Sequence, residues 1–316
     1  MINTDQVSVI CIAYNHEKWI EKALESVAQQ DHSYKELIIV DNGSADHTLV
    51  NIRNWVARYS GKLPIAVIAK PISVPYCALF NEVLKQATGE FIVDLSGDDF
   101  LYPQHLSLSV ARLRQVPVAA FVFSNATLSE ENGDQEMYYQ DNDISTFKDQ
   151  VLGREFYEVL IRKSFISSPT VVFRSQMLRQ EGGYDASLSY EDFDIQIRLT
   201  SKYPVVFSDH IGIYKRKHAN SLSAQQYRRY RSVMLPSTLR ICEKIRDINT
   251  SLTEKSALKT RVIFELKHAL WSANFDVAQG FVALAKELEV EGVEFRLYRL
   301  WLWLKLDISW LYVQLT

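Results

Sequence analysis

The sequence predicts an α/β protein with a mostly parallel central sheet flanked by helices, followed by a C-terminal helical extension. Apolar runs rich in β-branched residues alternate with amphipathic helical patterns over residues 7–125, which is typical of right-handed βαβ units. Three of these runs end abruptly in polar side chains. From Tyr227 onward the pattern is largely helical and contains no such polar strand end.

The first half of the chain carries the clearest alternation. The run VSVICIAYN over residues 7–15 predicts a strand that is buried on both faces, as in a parallel sheet. Asn15 then stands where a helix N-cap is expected, Trp19 begins a helical face, and Asp46 is expected to cap the next helix. The other elements predicted here are strand 37–40, helix 49–59, strand 63–69, helix 76–87, strand 90–95, helix 107–114 and strand 119–125.

The second half has a weaker pattern. Residues 126–150 are polar and acidic, which favours a hairpin or a surface loop. A strand over 170–173, a double-glycine turn at 182–183 and a helix that follows Asp192 are predicted next. The last 22 residues are dense in leucine and tryptophan, with basic residues interspersed.

Composition excludes several classes of protein. The formal net charge of −3 provides no global basic field for nucleic acid, so no nucleic-acid partner is expected. Cys11, Cys77 and Cys242 are far apart and form no CxxC pattern, which argues against a disulfide framework or a zinc knuckle and fits a reducing compartment. The N-terminus shows no basic leader, and no apolar run reaches the ~18 residues of a spanning helix. We therefore expect a cytoplasmic protein.

Polar residues follow three of the predicted strands, as Tyr14–Asn15, Asp41–Asn42 and Asp98–Asp99. Ligands of open parallel sheets bind beyond the carboxyl ends of the strands, so these residues are expected to share one ligand-binding edge. Neither GxGxxG nor GxxxxGK[ST] is present, so the two usual nucleotide-phosphate loops are absent from the sequence.

The adjacent carboxylates of Asp98 and Asp99 need compensation if they are desolvated. A solvated turn with a helix-capping role is one interpretation. The other is a divalent cation, since Mg²⁺ or Mn²⁺ is typically held by one or two carboxylates together with substrate phosphates. The position after a buried strand, beside Phe100 and Tyr102, favours the metal.

A second acidic pair, Glu191–Asp192, precedes a predicted helix. It could simply stabilise the helix N-terminus, or it could supply a general base that deprotonates a hydroxyl. His218, within the basic stretch YKRKHANSLS, could be an exposed or structural histidine, a metal ligand or a group that neutralises a diphosphate.

Four ordered motifs resemble the family-2 glycosyltransferases with the GT-A fold. They are VSVICIAYN with KELIIVDNGSADHT, then GEFIVDLSGDDFLYP, then GGYDASLSYEDFDIQIRL, then YKRKHANSLS, and together they cover residues 7–223. The resemblance implies a Rossmann-like GT-A catalytic domain over 1–223, with a nucleotide-binding half at 1–125 and an acceptor half at 126–223, before a helical region at 224–316. It also implies an inverting transfer from a nucleotide-diphosphate sugar with Mn²⁺ or Mg²⁺.

The resemblance assigns roles residue by residue. Asp98 would face the ribose or sugar, and Asp99 would ligate the metal. Asp192 would be the catalytic base with Glu191 beside it, and His218 would lie near the metal and the diphosphate. The positions that would contact the nucleotide are Ile12, Ala13, Tyr14, Asp41 and Asn42.

The sequence departs from the family pattern at several of these positions. Asn42 replaces the second acid of a common VDDGS motif; its amide can still accept a hydrogen bond from a pyrimidine N3–H but can also donate. Ser96 replaces the first acid of DxDD. Val74 and Pro75 supply neither the glycine nor the arginine often found there, and Asn81 fits the family but equally suits a packing role.

The function expected from this resemblance is transfer of a sugar, from a UDP- or dTDP-sugar donor, to a hydroxyl of a glycan or lipid-linked acceptor in surface polysaccharide assembly. A nucleotidyltransferase is disfavoured because residues 12–18 lack a glycine-rich basic loop. A non-catalytic nucleotide or sugar binder that kept the fold is the main alternative, and Ser96 is its best support.

Residues 295–316 admit three interpretations. Their aromatic density suits a helix packed in the core. It also suits an interfacial helix, with Trp301, Trp303 and Trp310 at the headgroups of the inner face of the plasma membrane. A homodimer contact would use the same apolar surface.

Overall fold

A computed structural model describes residues 5–130, 132–218 and 225–311. Within them the chain forms two compact units. The first unit comprises Met1–Arg154, Ile166–Ser187 and Arg198–Lys217. The second comprises Glu155–Phe165, Leu188–Ile197 and His218–Thr316. The domain boundary expected near residue 223 stays a prediction.

The first unit is built on a single ten-stranded sheet, in the order β3-β2-β1-β4-β9-β6-β10-β5, with β7 paired to β6 and β8 paired to β10. The predicted α/β fold with a mostly parallel sheet is confirmed, since β1 to β4 pair in parallel and β6 pairs in parallel with β10. The strands are β1 Val7–Ala13, β2 Lys35–Asp41, β3 Ile65–Ala69, β4 Phe91–Ser96, β5 Phe100–Leu101, β6 Phe121–Ser129, β7 Gln135–Met137, β8 Val151–Leu152, β9 Val172–Arg174 and β10 Val205–Arg216.

Helices cover the sheet of the first unit and form most of the second unit. A 3₁₀ turn at Ser168–Thr170 precedes β9. The helices are α1 Ile20–Ala28, α2 Thr48–Arg58, α3 Tyr76–Leu84, α4 His105–Gln115, α5 Asp141–Phe147, α6 Arg154–Arg162, α7 Ser175–Gln180, α8 Asp192–Thr200, α9 Leu235–Ile248, α10 Leu252–Trp271, α11 Phe275–Glu287 and α12 Val293–Leu304.

The centre of the sheet is buried on both faces, as the unbroken apolar run of β1 predicts. On one face Val9 and Cys11 join a core cluster with Ile20 and Leu24 of α1. Cys11, Cys77 and Cys242 all lie within the described residues, are buried and form no disulfide. Burying apolar side chains stabilises such a core by ~25 cal/mol per Å² removed from water.

Several local predictions differ from the structure. Asn15 does not cap α1, because it adopts a left-handed φ of 57° and α1 begins only at Ile20. The region 126–150 does contain a hairpin, formed by β6 and β7, but β6 runs to Ser129 and α5 follows. The strand predicted over 170–173 is the short antiparallel strand β9, which starts two residues later.

Asp46 does cap α2. Its Oδ1 accepts the backbone N–H of Thr48 at 2.9 Å, and its Oδ2 accepts the N–H of Glu17 at 3.1 Å. The same side chain therefore fixes the start of α2 and the turn after β1.

Among the helices that the structure describes, none is both long and apolar enough to cross a membrane.

Candidate active site

The polar ends of three parallel strands meet at one edge of the sheet, because β1 lies between β2 and β4. The backbone of β1 is bonded to both neighbours at this edge. The carbonyl of Ala13 accepts the N–H of Asn42 at 2.8 Å, and the carbonyl of Ile12 accepts the N–H of Gly97 at 2.9 Å. Tyr14 follows directly and is about half exposed, at 47%. This edge therefore presents the predicted nucleotide-contacting residues of the first unit side by side.

Asp41 is a buried carboxylate with an uncommitted oxygen. Only 1% of the residue is exposed. Its Oδ2 accepts the N–H of Ser44 at 3.3 Å, whereas its Oδ1 is buried and has no hydrogen-bond partner among the described residues. A buried acceptor left unpaired costs roughly 1–3 kcal/mol, so a ligand that donates a hydrogen bond here would recover that cost.

Asn42 uses its side chain inside the protein. Its Nδ2 donates to the carbonyl of Val74 and its Oδ1 accepts the N–H of Val74, each at 3.0 Å. An aspartate could accept the N–H but could not donate to the carbonyl, which gives the amide a structural reason to replace the family's carboxylate. Gly43 allows this close approach, since a Cβ there would lie 2.4 Å from the carbonyl carbon of Ile72.

Asp98 and Asp99 follow β4. Asp99 is 4% exposed and its Oδ1 accepts the backbone N–H of Arg216 at 2.9 Å. Asp98 Oδ1 accepts the hydroxyl of Ser96, and its Oδ2 lies 3.9 Å from His16 Nε2. Burial, together with the neighbouring charge of Asp98, raises the pKa of Asp99 to about 7. The Asp99 carboxylate is therefore only partly compensated by its described neighbours.

The basic stretch predicted near the diphosphate is held beside this pair by aromatic packing. Tyr214 stacks on Phe100 with ring centroids 4.5 Å apart, and the Lys22 ammonium lies 3.9 Å from the Phe100 centroid. The Arg216 guanidinium donates to the carbonyl of Asp98. Lys217 instead forms ion pairs with Glu130 and Glu136, so its charge is directed to the β6–β7 hairpin.

A further carboxylate, Asp94, lies within β4 and was not indicated by the strand-end pattern of the sequence. Asp94 accepts hydrogen bonds from the hydroxyls of Tyr76, at 2.6 Å, and Tyr184, at 2.9 Å. Burial raises the pKa of Asp94 to about 6, although both hydrogen bonds oppose the shift. Successive strand residues face opposite sides of a sheet, so Asp94 shares a face with Ser96. The sequence signal that could have indicated Asp94 was the presence of an aspartate inside an apolar strand.

Glu191 and Asp192 belong to the second unit and are both partly exposed. Asp192 is the first residue of α8, and its Oδ1 accepts the N–H of Phe193 at 2.6 Å. The carbonyl of Glu191 accepts the N–H of Ile195 at 3.0 Å. His218 is also assigned to the second unit and is partly buried. Across the described ranges, no three His, Cys, Asp or Glu side chains are grouped so that they could hold a metal ion.

Asn81, for which a packing role and a family role were both open, packs within the first unit. Its Nδ2 donates to the carbonyl of Tyr184 at 2.6 Å, and its Oδ1 accepts the N–H of the same residue at 2.8 Å. Phe80 stacks on the Tyr184 ring with centroids 4.1 Å apart. These contacts join α3 to the double-glycine turn.

Curated proteins similar to this chain include two that are named as glycosyltransferases. The chain is 34% identical over 110 residues to "Putative glycosyltransferase EpsE" of Bacillus subtilis, which covers 35% of this chain and 39% of EpsE. It is 26% identical over 204 residues to "Putative colanic acid biosynthesis glycosyl transferase WcaA" of Escherichia coli, covering 64% of this chain and 69% of WcaA. The chain thus spans well under half the length of EpsE.

Solved structures share the fold. A structure of Staphylococcus aureus TarS 1-349 in complex with UDP-GlcNAc matches with a TM-score of 0.68 and 19% identity, over 90% of this chain and 83% of that one. The mannosyltransferase PcManGT from Pyrobaculum calidifontis, in complex with GDP-Man and Mn²⁺, matches with a TM-score of 0.57 and 17% identity, over 95% of this chain and 83% of that one. The predicted GT-A fold is therefore confirmed.

The model of the family "Glycosyl transferase family 2" matches residues 8–181, which contain β1 to β4 and both carboxylate-bearing strand ends at Asp41 and Asp98–Asp99. Because this match covers more than half of the 316 residues, the chain belongs to glycosyl transferase family 2.

Proposed function

We propose that the protein is an inverting glycosyltransferase that moves a sugar from a nucleotide-diphosphate donor to a hydroxyl acceptor in glycan or surface polysaccharide assembly. The observation that carries this proposal is the pair of buried carboxylates at the ends of the two strands that flank β1, with Asp41 at the end of β2 and Asp99 after β4. Family membership and the names of EpsE and WcaA support the same reaction class and setting.

A pyrimidine nucleotide suits the Asp41 end of the site. The unpaired Oδ1 of Asp41 is an acceptor, and the N3–H of uracil or thymine is a donor. UDP- or dTDP-sugars are therefore the favoured donors. Because the amide of Asn42 is bonded to Val74, we assign the base contact to Asp41 and give Asn42 the role of holding the neighbouring loop.

The residues after β4 fit a divalent cation. Carboxylate oxygens are the ligands that Mn²⁺ and Mg²⁺ take in proteins, and one or two of them suffice when substrate phosphates complete the coordination. Asp99 would hold the ion, Asp98 would face the ribose or the sugar, and His218 would lie near the diphosphate. Such an ion stabilises the negative charge that builds on a leaving diphosphate.

The chemical step is a single displacement. Asp192 accepts the proton of the acceptor hydroxyl, with Glu191 beside it. The hydroxyl oxygen forms a bond to the anomeric carbon while the bond from that carbon to the diphosphate oxygen breaks. The nucleoside diphosphate leaves with the electron pair, and the anomeric configuration is inverted. Lys215 and Arg216 add positive charge beside Asp98 and Asp99.

Calorimetric titration with UDP, dTDP, GDP and ADP, each with and without Mn²⁺, tests the donor assignment. We expect UDP or dTDP to bind, and Mn²⁺ to tighten that binding. A folded protein that binds none of the four would overturn the function. Preference for GDP or ADP would overturn the assignment of Asp41 to a pyrimidine.

We also propose that α12 rests on the membrane that carries a lipid-linked acceptor, at its cytoplasmic face. Trp303 is 77% exposed, and Leu297 and Leu300 are more than half exposed on the same side of the helix. The charged residues of segment 295–306 are all basic, namely Arg296, Arg299 and Lys305. An amphipathic helix with exposed tryptophan and leucine beside basic residues suits an anionic lipid surface.

The tryptophans of this region do not act alike. Trp301, one of the expected headgroup residues, packs edge-on against Trp271 with ring centroids 5.7 Å apart and donates its indole N–H to the carbonyl of Leu306 at 2.7 Å. Trp303 and Trp310 are exposed instead, the latter at 56%. The lipid contact is therefore assigned to these two and to the leucines of α12.

The double substitution Leu300→Ser and Trp303→Ser should weaken binding to phosphatidylglycerol vesicles by on the order of tenfold or more, since each removes an apolar side chain worth ~1.5–3 kcal/mol when buried. Co-sedimentation with vesicles of phosphatidylglycerol and of phosphatidylcholine measures it. Leu252→Ser is the matched control, because Leu252 is 84% exposed but belongs to the first turn of α10 rather than to α12. Equal sedimentation of the double variant and the wild type would refute the contact, and a dimer dissociated by the double variant would reassign the surface to self-association.

A further inference from the structure

The segment that carries Glu191 and Asp192 is bonded to the C-terminal helices by hydrogen bonds before the acidic pair and by an ion pair after it. These contacts all lie within the second unit. The backbone N–H of Ser189 donates to the hydroxyl of Ser237, at 2.9 Å. The hydroxyl of Tyr190 lies 2.7 Å from that of Thr238, one residue further along α9. The chain is thus fixed to α9 immediately before Glu191.

An ion pair fixes the chain immediately after Asp192. Lys244 Nζ lies 2.6 Å from Asp194 Oδ1, with the Asp194 side chain 1% exposed and that of Lys244 28% exposed. Lys244 lies about two turns along α9 from Ser237, so one face of that helix holds both flanks of the acidic pair. Burying a carboxylate is costly without compensating charge, and the ion pair with Lys244 supplies such charge to Asp194.

A second buried charge supports the same segment from α10. The guanidinium of Arg261 lies 4.5 Å from the centroid of the Phe193 ring and 2.8 Å from Glu265. Glu265 is fully buried and also accepts the hydroxyl of Tyr227, at 3.2 Å. Apolar residues of similar size would pack such a core at least as well, so a buried ion pair is poor evidence for added stability. Its geometry does fix the orientation of Phe193, which is adjacent to Asp192.

We infer that α9 and α10 position the catalytic base, with Lys244 and Arg261 acting as positioning residues for Asp192. The inference rests on the proposed function, in which Asp192 accepts the proton of the acceptor hydroxyl. Both helices lie outside residues 8–181, the part matched by the family model, so family membership alone does not assign them this role. Helix packing without any effect on Asp192 is the competing explanation.

Lys244→Met tests the inference, because it removes the charge while keeping an unbranched chain at a partly exposed position. The 316-residue chain is incubated with Mn²⁺ and UDP-GlcNAc, UDP-glucose, dTDP-glucose or GDP-mannose, with water taking the sugar in place of the acceptor hydroxyl, and release of nucleoside diphosphate is followed. We expect kcat to fall by roughly 10–100-fold, since misplacing a catalytic group by about 1 Å can cost 10²-fold. Affinity for UDP, measured by calorimetry, should stay within about twofold, because the nucleotide-contacting residues belong to the first unit. Lys244→Arg should restore most of the rate.

A double-mutant cycle separates positioning from general stability. In an Asp192→Asn background, Lys244→Met should have little further effect on kcat, because its influence acts through Asp192. Lys259→Met is the control, since the Lys259 ammonium donates to the carbonyl of Glu289, just after the end of α11. A loss of equal size in both backgrounds, or an unchanged kcat in Lys244→Met, would overturn the inference. An Asp192→Asn variant with full activity would instead overturn the proposed base.

Discussion

Replacing Asp192 by asparagine is expected to lower kcat for sugar transfer by about 10²–10⁴-fold, the usual contribution of a general base. An amide cannot accept the proton of the acceptor hydroxyl at neutral pH. The substitution preserves size, and the amide oxygen can still accept the N–H of Phe193 that Asp192 accepts at 2.6 Å. The fold and the start of α8 should therefore survive, and the loss should appear in kcat more than in KM for the donor.

Two controls accompany the measurement of initial rates. Asp247→Asn removes an acid of the second unit whose side chain is 67% exposed, and it should leave kcat within about twofold. The Glu191→Gln variant tests whether the carboxylate of Glu191 can accept the proton of the acceptor hydroxyl. Wild-type turnover in Asp192→Asn together with a strong loss in Glu191→Gln would assign the general base to Glu191. Wild-type turnover in both would remove the base from this segment.

The inner strands of the parallel half of the sheet, β1, β2 and β4, could be predicted from the sequence because they are largely buried. β1 is an unbroken apolar run, and the polar residues after it, as after β2 and β4, mark where the strands leave the core. Periodicity reports burial directly, so these elements are predicted within a few residues. The short strands β5 and β8 have two residues each, too few for any period to show, whereas β9 was predicted with a start two residues too early.

The strand β10 was missed for a different reason. It alternates buried and exposed residues irregularly, because its pairing with β6 shifts register between Ser208 and Ile213. A bulge of this kind breaks the period-two pattern that identifies a strand. The C-terminal end of β10 places the backbone N–H of Arg216 on Asp99. This contact of the candidate site therefore comes from a strand that the hydrophobic pattern of the sequence does not reveal.

The same limit applies to side-chain partners. Spacing and strand ends indicated Asp41, Asn42 and the Asp98–Asp99 pair, but could not show that the Asn42 amide is bonded to Val74. Nor could they show that the hydroxyl of Tyr184 donates to Asp94, which lies 90 positions earlier in the chain. Such contacts depend on tertiary packing, which a single sequence does not encode in any local pattern.

Asp99→Asn is expected to abolish the Mn²⁺-dependent part of UDP binding while leaving the metal-independent part nearly unchanged. The amide oxygen can still accept the N–H of Arg216, which Asp99 accepts at 2.9 Å, so β10 should stay in place. The amide lacks the negative charge that a hard cation needs from its oxygen ligands. If Mn²⁺ tightens UDP binding tenfold in the wild type, the variant should lose about 1.4 kcal/mol of binding free energy in the presence of Mn²⁺.

Calorimetry of UDP with and without Mn²⁺ measures this difference, and Asp31→Asn is the control because Asp31 is an exposed acid of the same unit. Asp98→Asn completes the comparison. Since Asp98 is assigned to the ribose or sugar, its loss should weaken UDP binding with and without the metal. A variant of Asp99 in which Mn²⁺ still tightens UDP binding as in the wild type would show that the ion is held elsewhere. The buried carboxylate of Asp99 would then need another explanation. It accepts the backbone N–H of Arg216, and burial raises its pKa to about 7.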